Sequence, residues 1–280
     1  MIETAQPARA KLFLDLHHGP RILLLANAWD AVSARLFAEE GLPAIATTSA
    51  GVAFSLGFPD GERTPFPEMV AAIERIVRAV RIPVSADIES GFGQTPREVG
   101  ENVRTVLLAG AVGVNLEDGT GNQADPLTPI SLHSERIRAA REAAASAGLA
   151  VVVNARTDVF LESVGPPETR FEEAVARANA YRQAGADCLF VPAVTDVSTI
   201  ERLVRAIEGP VNVLAGAQSP PLSELERLGV ARVSLGSGPI RATLGLLRRI
   251  TRELQDGGTY RALTEGALPY QEANELFEQS

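Results

Sequence analysis

"IPVSADIESGFG" (residues 82–93) opens as an apolar run and closes on glycines, so it reads as a strand that ends in a turn. Two carboxylates, Asp87 and Glu89, stand where that strand finishes. Residues at i and i+2 of a strand point to the same face. Two acids on one buried face repel each other and lose hydration. The arrangement calls for a positive partner, and a divalent cation is the first candidate.

The same signature recurs on both sides of this stretch. Strands are expected at 21–27, 44–51, 82–89, 111–118, 149–157, 186–193, 209–216 and 230–238. Amphipathic helix patterns separate them, at 30–41, 67–80, 95–110, 133–148, 168–185, 197–207 and 221–229, with a last long helix at 239–258. Residues 52–66 read as a long loop. Pro67 suits the first turn of its helix, and Thr95-Pro96 reads as N-cap and N1. Strands that alternate with helices imply a parallel sheet. Eight such pairs, with no break in composition that would mark a linker, predict one domain over 1–280: an α/β fold of the (β/α)8 TIM-barrel type with a C-terminal helical extension. An open doubly wound sheet is the alternative, but no G-x-G-x-x-G turn follows the first strand.

Composition narrows the function. The chain of 280 residues is 45% hydrophobic and carries a net charge of −9, which argues against a nucleic-acid or anionic-membrane partner. No apolar run is long enough to span a bilayer, and the N-terminal stretch lacks the pattern of a signal peptide, so a cytoplasmic location is expected. Cys188 is the only cysteine, which excludes an intrachain disulfide, and its apolar strand makes it a core residue. Lys11 is the only lysine and precedes the first core strand. A Schiff-base mechanism needs a buried lysine of lowered pKa, and none is available.

In a barrel of this type the chemistry sits at the C-terminal ends of the strands. Read in order, those ends supply Asn27, then Thr48 to Gly51, then Asp87 and Glu89, then Glu117 and Asp118, then Asn154, Arg156 and Asp158, then Asn212. The acids gather on the third and fourth strands, with Arg156 on the fifth. A metal would let the carboxylates share one site, while Arg156 offers a planar fork to an acidic ligand. A plain ionic network of Glu89, Glu117 and Arg156 is the competing reading. Asp118 and Asp158 read as caps, and Asn27 and Asn212 are equally suited to structure and function. Gly236-Ser237-Gly238 reads as a tight turn.

Four stretches, "NAWDAVSARLFAEEG", "TTSAGVAFSLGFPDG", "SADIESGFG" and "VNLEDGTG", with "NARTDVFL" in support, resemble the isocitrate lyase / phosphoenolpyruvate mutase superfamily along nearly the whole chain. The resemblance implies a (β/α)8 barrel, a bound Mg²⁺ (with Mn²⁺ as a substitute), a small α-oxo acid ligand, and a homo-oligomer, dimer or tetramer, whose last helix is exchanged between subunits. It makes Asp87 the direct metal ligand, with Glu89, Asp60 and Glu117 reaching the metal through water. Glu89 stands where the usual D-x-D-x-G-[FY]-G has its second Asp. The resemblance assigns Ser49, Ala50 and Gly51 to the substrate carboxylate, Arg156 to the substrate oxygens, and Asn212 to the place of a lyase amide. Arg156, Glu117 and Asn212 are then the catalytic set.

The departures shape the expected reaction. True lyases carry K-[KR]-C-G-H after the Glu-Asp of the fourth strand. Here residues 119–125 read GTGNQAD, with no cysteine, lysine or histidine. Pro192 stands in the place of a lyase glutamate. Isocitrate-type cleavage is therefore not expected. The expected function is a Mg²⁺-dependent carbon–carbon lyase of a small α-oxo acid acting through a metal-stabilised enolate, most simply an oxaloacetate-type decarboxylase. A phosphonopyruvate or carboxyphosphonoenolpyruvate mutase or hydrolase, and a non-catalytic oxo-acid binder, are the alternatives.

Overall fold

The computed structural model describes residues 4–278, so residues 1–3 and 279–280 of the expected domain lie outside it. Nine strands form one parallel sheet: β1 (Leu23–Leu25), β2 (Asn27–Ala28), β3 (Ile45–Thr47), β4 (Val84–Asp87), β5 (Gly113–Glu117), β6 (Val152–Arg156), β7 (Cys188–Phe190), β8 (Val211–Leu214) and β9 (Arg232–Ser234). Their order is β1-β9-β8-β7-β6-β5-β4-β3-β2. β1 pairs with β9 and β2 with β3, on either side of the single residue Ala26. One chain segment thus supplies both edges, and the sheet closes into the expected (β/α)8 barrel.

The two-residue period of a strand sorts its side chains. Val114, Leu116, Val153, Ala155, Leu189, Val211, Val213 and Val233 face outward into the apolar layer beneath the helices. Their neighbours Asn115, Glu117, Asn154, Arg156, Asn212, Arg232 and Ser234 face the barrel interior. Glu117 is in register with Arg156 on adjacent strands, which brings acid and base side by side.

An N-terminal helix, Gln6–Leu16, closes the bottom of the barrel, an element the sequence reading did not anticipate. It lacks a strong apolar stripe. Its Ala10 and Phe13 pack with Leu23, Leu25, Ala44, Ala46, Val112 and Val152. Gln6 Nε2 donates to the carbonyls of Leu107 and Ala111 at 2.8 and 3.0 Å. A Cβ on Gly113 would stand 2.6 Å from the Phe13 ring, so glycine is what lets this plug seat. Lys11 of the same helix is exposed and pairs with Asp15 at 2.6 Å, far from any Schiff-base environment.

The structure corrects the second strand. The run expected at 44–51 is extended only over Ile45–Thr47, and Ser49–Leu56 is a helix inside the expected strand end and loop. Thr48 is its N-cap, accepting from the Gly51 N–H, and Gly57 in the left-handed region (φ 85°) ends it. These start and stop signals outweigh the apolar, β-branched character of residues 44–51. The tail beyond the helix Gly238–Gly257 also holds two short helices, Arg261–Thr264 and Tyr270–Glu278. No helix among the described residues is long and apolar enough to cross a membrane.

Two buried histidines make the fold sensitive to acid. Burial pushes His133 down to about 4 and His17 down to about 3, the latter helped by the nearby Arg232 charge. Unfolded chains take up these protons near pH 6.5. The unfolded state therefore binds more protons below that pH. Stability that is complete above about 6.5 drains away as pH falls toward the folded-state values, by roughly 3 kcal/mol for His133 alone. Imidazole proton resonances of His17 and His133 should stay at neutral positions down to about pH 5 in the folded protein. Titration of either near pH 6.5 would contradict the burial argument.

Candidate active site

A cavity of about 260 Å³ opens at the C-terminal end of the barrel. Asp87, at the end of β4, is held from three sides. Its Oδ2 accepts from Ser49 N at 3.0 Å and Ser49 Oγ at 2.8 Å, and its Oδ1 accepts from Asn115 Nδ2 at 2.9 Å. Asn154 Nδ2 in turn donates to Asn115 Oδ1 at 2.7 Å, which fixes the Asn115 amide. A carboxylate offers about four acceptor positions. Three are used, and the fourth is left for a ligand on the cavity side.

Asp60 and Glu89 crowd this carboxylate. Glu89 is only 4% exposed, and burial, then Asp87 and Asp60, push its carboxyl up to about 8. Burial and Asp87 likewise raise Asp60. Glu117 is raised by burial, while Arg156 pulls it back. Among the described residues no three acidic, histidine or cysteine side chains stand close enough to share one ion directly. The donors are all hard oxygens, and their mutual repulsion is relieved by a cation. Asp87 in contact, with the other acids acting through water, matches the way Mg²⁺ retains its hydration. The residues present fit such an ion.

Arg156 crosses the mouth of this acidic group. Its Nη1 meets Glu117 Oε2 at 2.6 Å, and its Nε and Nη2 meet Asp158 at 2.6 and 3.0 Å. Burial works against its charge, but Glu117 and Asp158 outweigh that and hold it firmly protonated. Asp158 is therefore no loop cap, as the sequence suggested, but half of the clamp that orients the guanidinium. Asp118 is structural: fully buried, it accepts from Tyr181 Oη at 2.7 Å and Arg177 Nη1 at 3.1 Å.

Two loops are buttoned together beside the site. Glu62 Oε1 accepts from Ser90 N, Ser90 Oγ and Phe92 N, while Glu89 Oε2 accepts from Glu62 N. Glu62, Glu89 and Phe92 all sit at positive φ, between 51° and 55°. Such backbone is costly for residues other than glycine. The reciprocal hydrogen bonds offset it.

The helix Ser49–Leu56 begins at the cavity. The Ser49 N–H is spent on Asp87 and the Gly51 N–H on Thr48 Oγ1. The Ala50 N–H remains for a ligand, at the positive end of the helix. The Ser49 hydroxyl, like its N–H, is spent on positioning Asp87. Gly51 is a packing requirement: a Cβ there would stand 2.5 Å from Thr48 Cγ2 and 2.9 Å from Trp29 Cβ. Gly51→Ala should cost about 1–3 kcal/mol in chemical denaturation, because the helix has to shift. An unchanged denaturation midpoint would mean that the helix yields freely.

Asn212 is fully buried, exchanging hydrogen bonds with Ser234 Oγ at 3.1 and 3.3 Å, and does not line the cavity. Asn27 acts as a staple: its amide donates to Thr47 O and accepts from Leu235 N and Gly236 N. Cys188 is buried core, its thiol pushed up to about 12 by burial. The sequence reading missed Asn115, Thr47 and Arg232. Asn115 lies two residues before Glu117, on the same strand face, and that period was signal enough.

Fold and site together define a (β/α)8 barrel with an acid-lined cavity at the C-terminal ends of its strands. The sequence profile of phosphoenolpyruvate phosphomutase matches residues 13–255. A crystal structure from Burkholderia cenocepacia J2315, whose lyase/mutase activity is itself only inferred, superposes with a TM-score of 0.92 at 40% identity over 99% of this chain and 98% of that one. An uncharacterized protein of Mycobacterium tuberculosis is 36% identical over 88% of this chain and 89% of its own length. Oxaloacetate decarboxylase 2 of Pseudomonas fluorescens is 30% identical over 89% of this chain and 86% of its own. Phosphonopyruvate hydrolase, solved with oxalate and Mg²⁺, has a TM-score of 0.83 at 25% identity over 96% of this chain and 94% of that one. The chain belongs to the phosphoenolpyruvate phosphomutase family, within the isocitrate lyase / phosphoenolpyruvate mutase superfamily.

Proposed function

We propose that the protein is a Mg²⁺-dependent carbon–carbon lyase of a small α-oxo acid, most simply an oxaloacetate-type decarboxylase. The observation that carries this reading is the pairing of an Asp87 carboxylate that keeps one open acceptor position with a clamped Arg156 two strands away in the same cavity. Asp87, with Asp60, Glu89 and Glu117 behind water, would hold the cation, which supplies Lewis-acid polarisation of the substrate's oxygens.

The chain's own groups do the rest. The Ala50 N–H and the helix end behind it take the substrate carboxylate. Arg156, fixed by Glu117 and Asp158, aims its remaining N–H groups at the oxygen on which negative charge grows. When the bond to the departing carboxylate breaks, carbon dioxide leaves and the electron pair stays on the substrate carbon. A proton from water then completes the product. Loop residues 119–125 carry no cysteine, lysine or histidine to act as a proton donor, and the loop folds on itself through Thr120 N to Pro126 O and Thr128 N to Asp118 O.

The test is to add oxaloacetate with Mg²⁺ and follow pyruvate and carbon dioxide, with phosphonopyruvate and 2-methylisocitrate in parallel. Pyruvate from oxaloacetate and no cleavage of 2-methylisocitrate are expected. Calorimetric binding without turnover of any of the three would make the barrel an oxo-acid binder instead.

We read 1–280 as one cytoplasmic barrel that assembles with copies of itself. The helix Gly238–Gly257 supports this: Ile240 is its only buried residue, and Leu244 and Leu247 are exposed. Light scattering after size exclusion should report at least twice the mass of one chain.

A further inference from the structure

Arg232, at the start of β9, lines the floor of the cavity yet is only 2% exposed. Its Nε makes one long hydrogen bond, 3.3 Å to Ser234 Oγ, and its Nη1 has no partner. No carboxylate among the described residues forms an ion pair with it. Two other arginines are buried: Arg177 Nη1 donates to Asp118, the Thr128 carbonyl and Tyr181, whereas Arg136 also leaves its Nε without a partner but stands away from the cavity, with its Nη2 3.4 Å from the carbonyls of Gly93 and Gln94. Burial draws the Arg232 guanidinium down to about 10, which still leaves it charged at neutral pH. A buried cation without a counter-charge is costly for a fold. Arg232 is the orphaned buried guanidinium that lines the cavity, where a ligand can supply the missing charge.

The acidic side of the cavity serves the head group: Asp87 with its neighbours, the Ala50 N–H and Arg156. Arg232 rises from the opposite side, with the Ser234 hydroxyl beside it. We propose that Arg232 is the specificity residue that holds the second anionic group of a diacid ligand and so selects it over a pyruvate-like monoacid. The proposal rests on the oxo-acid reading of the head-group side and adds the chemistry of the far end. For a substrate that loses this second group as carbon dioxide, the ion pair is given up as the bond breaks. Arg232 then contributes to binding and selection, not to the bond-breaking step.

Calorimetry in the presence of Mg²⁺ tests this with two pairs of inert acids, pyruvate against 2-oxoglutarate and lactate against malate. Each pair differs in its second carboxylate. The wild type is expected to bind the diacid of at least one pair about tenfold or more tightly, the scale of a charge-assisted contact. Arg232→Met should reduce that ratio to near one with monoacid affinity little changed, and Arg232→Lys should retain part of it. The unliganded Arg232→Met protein should also melt at a higher temperature, because an unpaired buried charge is gone.

A wild-type ratio near one, or an equal loss for both members of a pair in Arg232→Met, would overturn the proposal. If that variant fails to fold, the wild-type ratio and Arg232→Lys still decide. Succinate, which has no oxo or hydroxyl oxygen, separates the two layers of the argument. Arg232-dependent binding of succinate with no preference for oxo acids overturns the head-group reading and supports the role of Arg232. Absence of binding by every acid tested overturns both.

Discussion

Asp87→Asn is expected to lower Mg²⁺ affinity by about 100-fold or more and to abolish Mg²⁺-dependent turnover, with the fold intact. Loss of an outer-shell partner alone costs about 10–100-fold in affinity, and a direct ligand costs at least that much. The amide keeps an oxygen for Ser49 N and Oγ but turns a donor toward Asn115 Nδ2, whose own oxygen is already taken by Asn154. That mismatch stays local. The substitution also removes the charge that crowds Glu89 and Asp60, so the cation-free variant should be no less stable than the wild type. Glu89→Gln should weaken the ion less, because Glu89 is spent partly on the Glu62 N–H. Equal Mg²⁺ affinity, by calorimetry, in the wild type and Asp87→Asn would remove Asp87 from the metal site.

Arg156→Lys is expected to lose about 10²-fold or more in turnover while still binding Mg²⁺, the scale seen when a donor to transition-state charge is removed. Arg156 has two roles to separate. It neutralises Glu117 and Asp158, and its remaining N–H groups face the cavity. Lysine keeps the charge but replaces a planar fork with a single point. It reaches one acid or the other and leaves the far side unmatched, so some stability should be lost. A purely structural arginine would show that stability loss with wild-type turnover per folded molecule. Near-wild-type turnover of oxaloacetate by the folded variant would therefore strike Arg156 from the catalytic set.

The barrel was legible in the sequence because its evidence is periodic. Apolar runs such as Val152–Arg156 recur at regular spacing, and each is followed by a helix pattern. Asp87 and Glu117 were legible because both end strands, whereas Glu89 lies beyond β4 in a turn at positive φ, so the two-residue period expected for a strand over 82–89 does not place it. Three other things were not legible. The helix at 49–56 was hidden by the apolar, β-branched character of residues 44–51, although Thr48 and Gly57 mark its ends. The N-terminal plug has no strong amphipathic stripe, because it buries few side chains, Phe13 chief among them, into a barrel bottom assembled from distant strands. Arg232 looked like any arginine in a strand, and its lack of an ion pair among the described residues is a property of three-dimensional packing alone.

The two buttoned loops beside the site also have a mechanical meaning. Each glutamate caps the backbone of the other's loop, Glu62 on Ser90 and Phe92, Glu89 on Glu62, so the segments around residues 62 and 90 form a single hinge-free plate. Breathing of the outer loop would break Glu89's contact and release three strained backbone conformations at once. For either segment to draw away from the other, four hydrogen bonds have to break together.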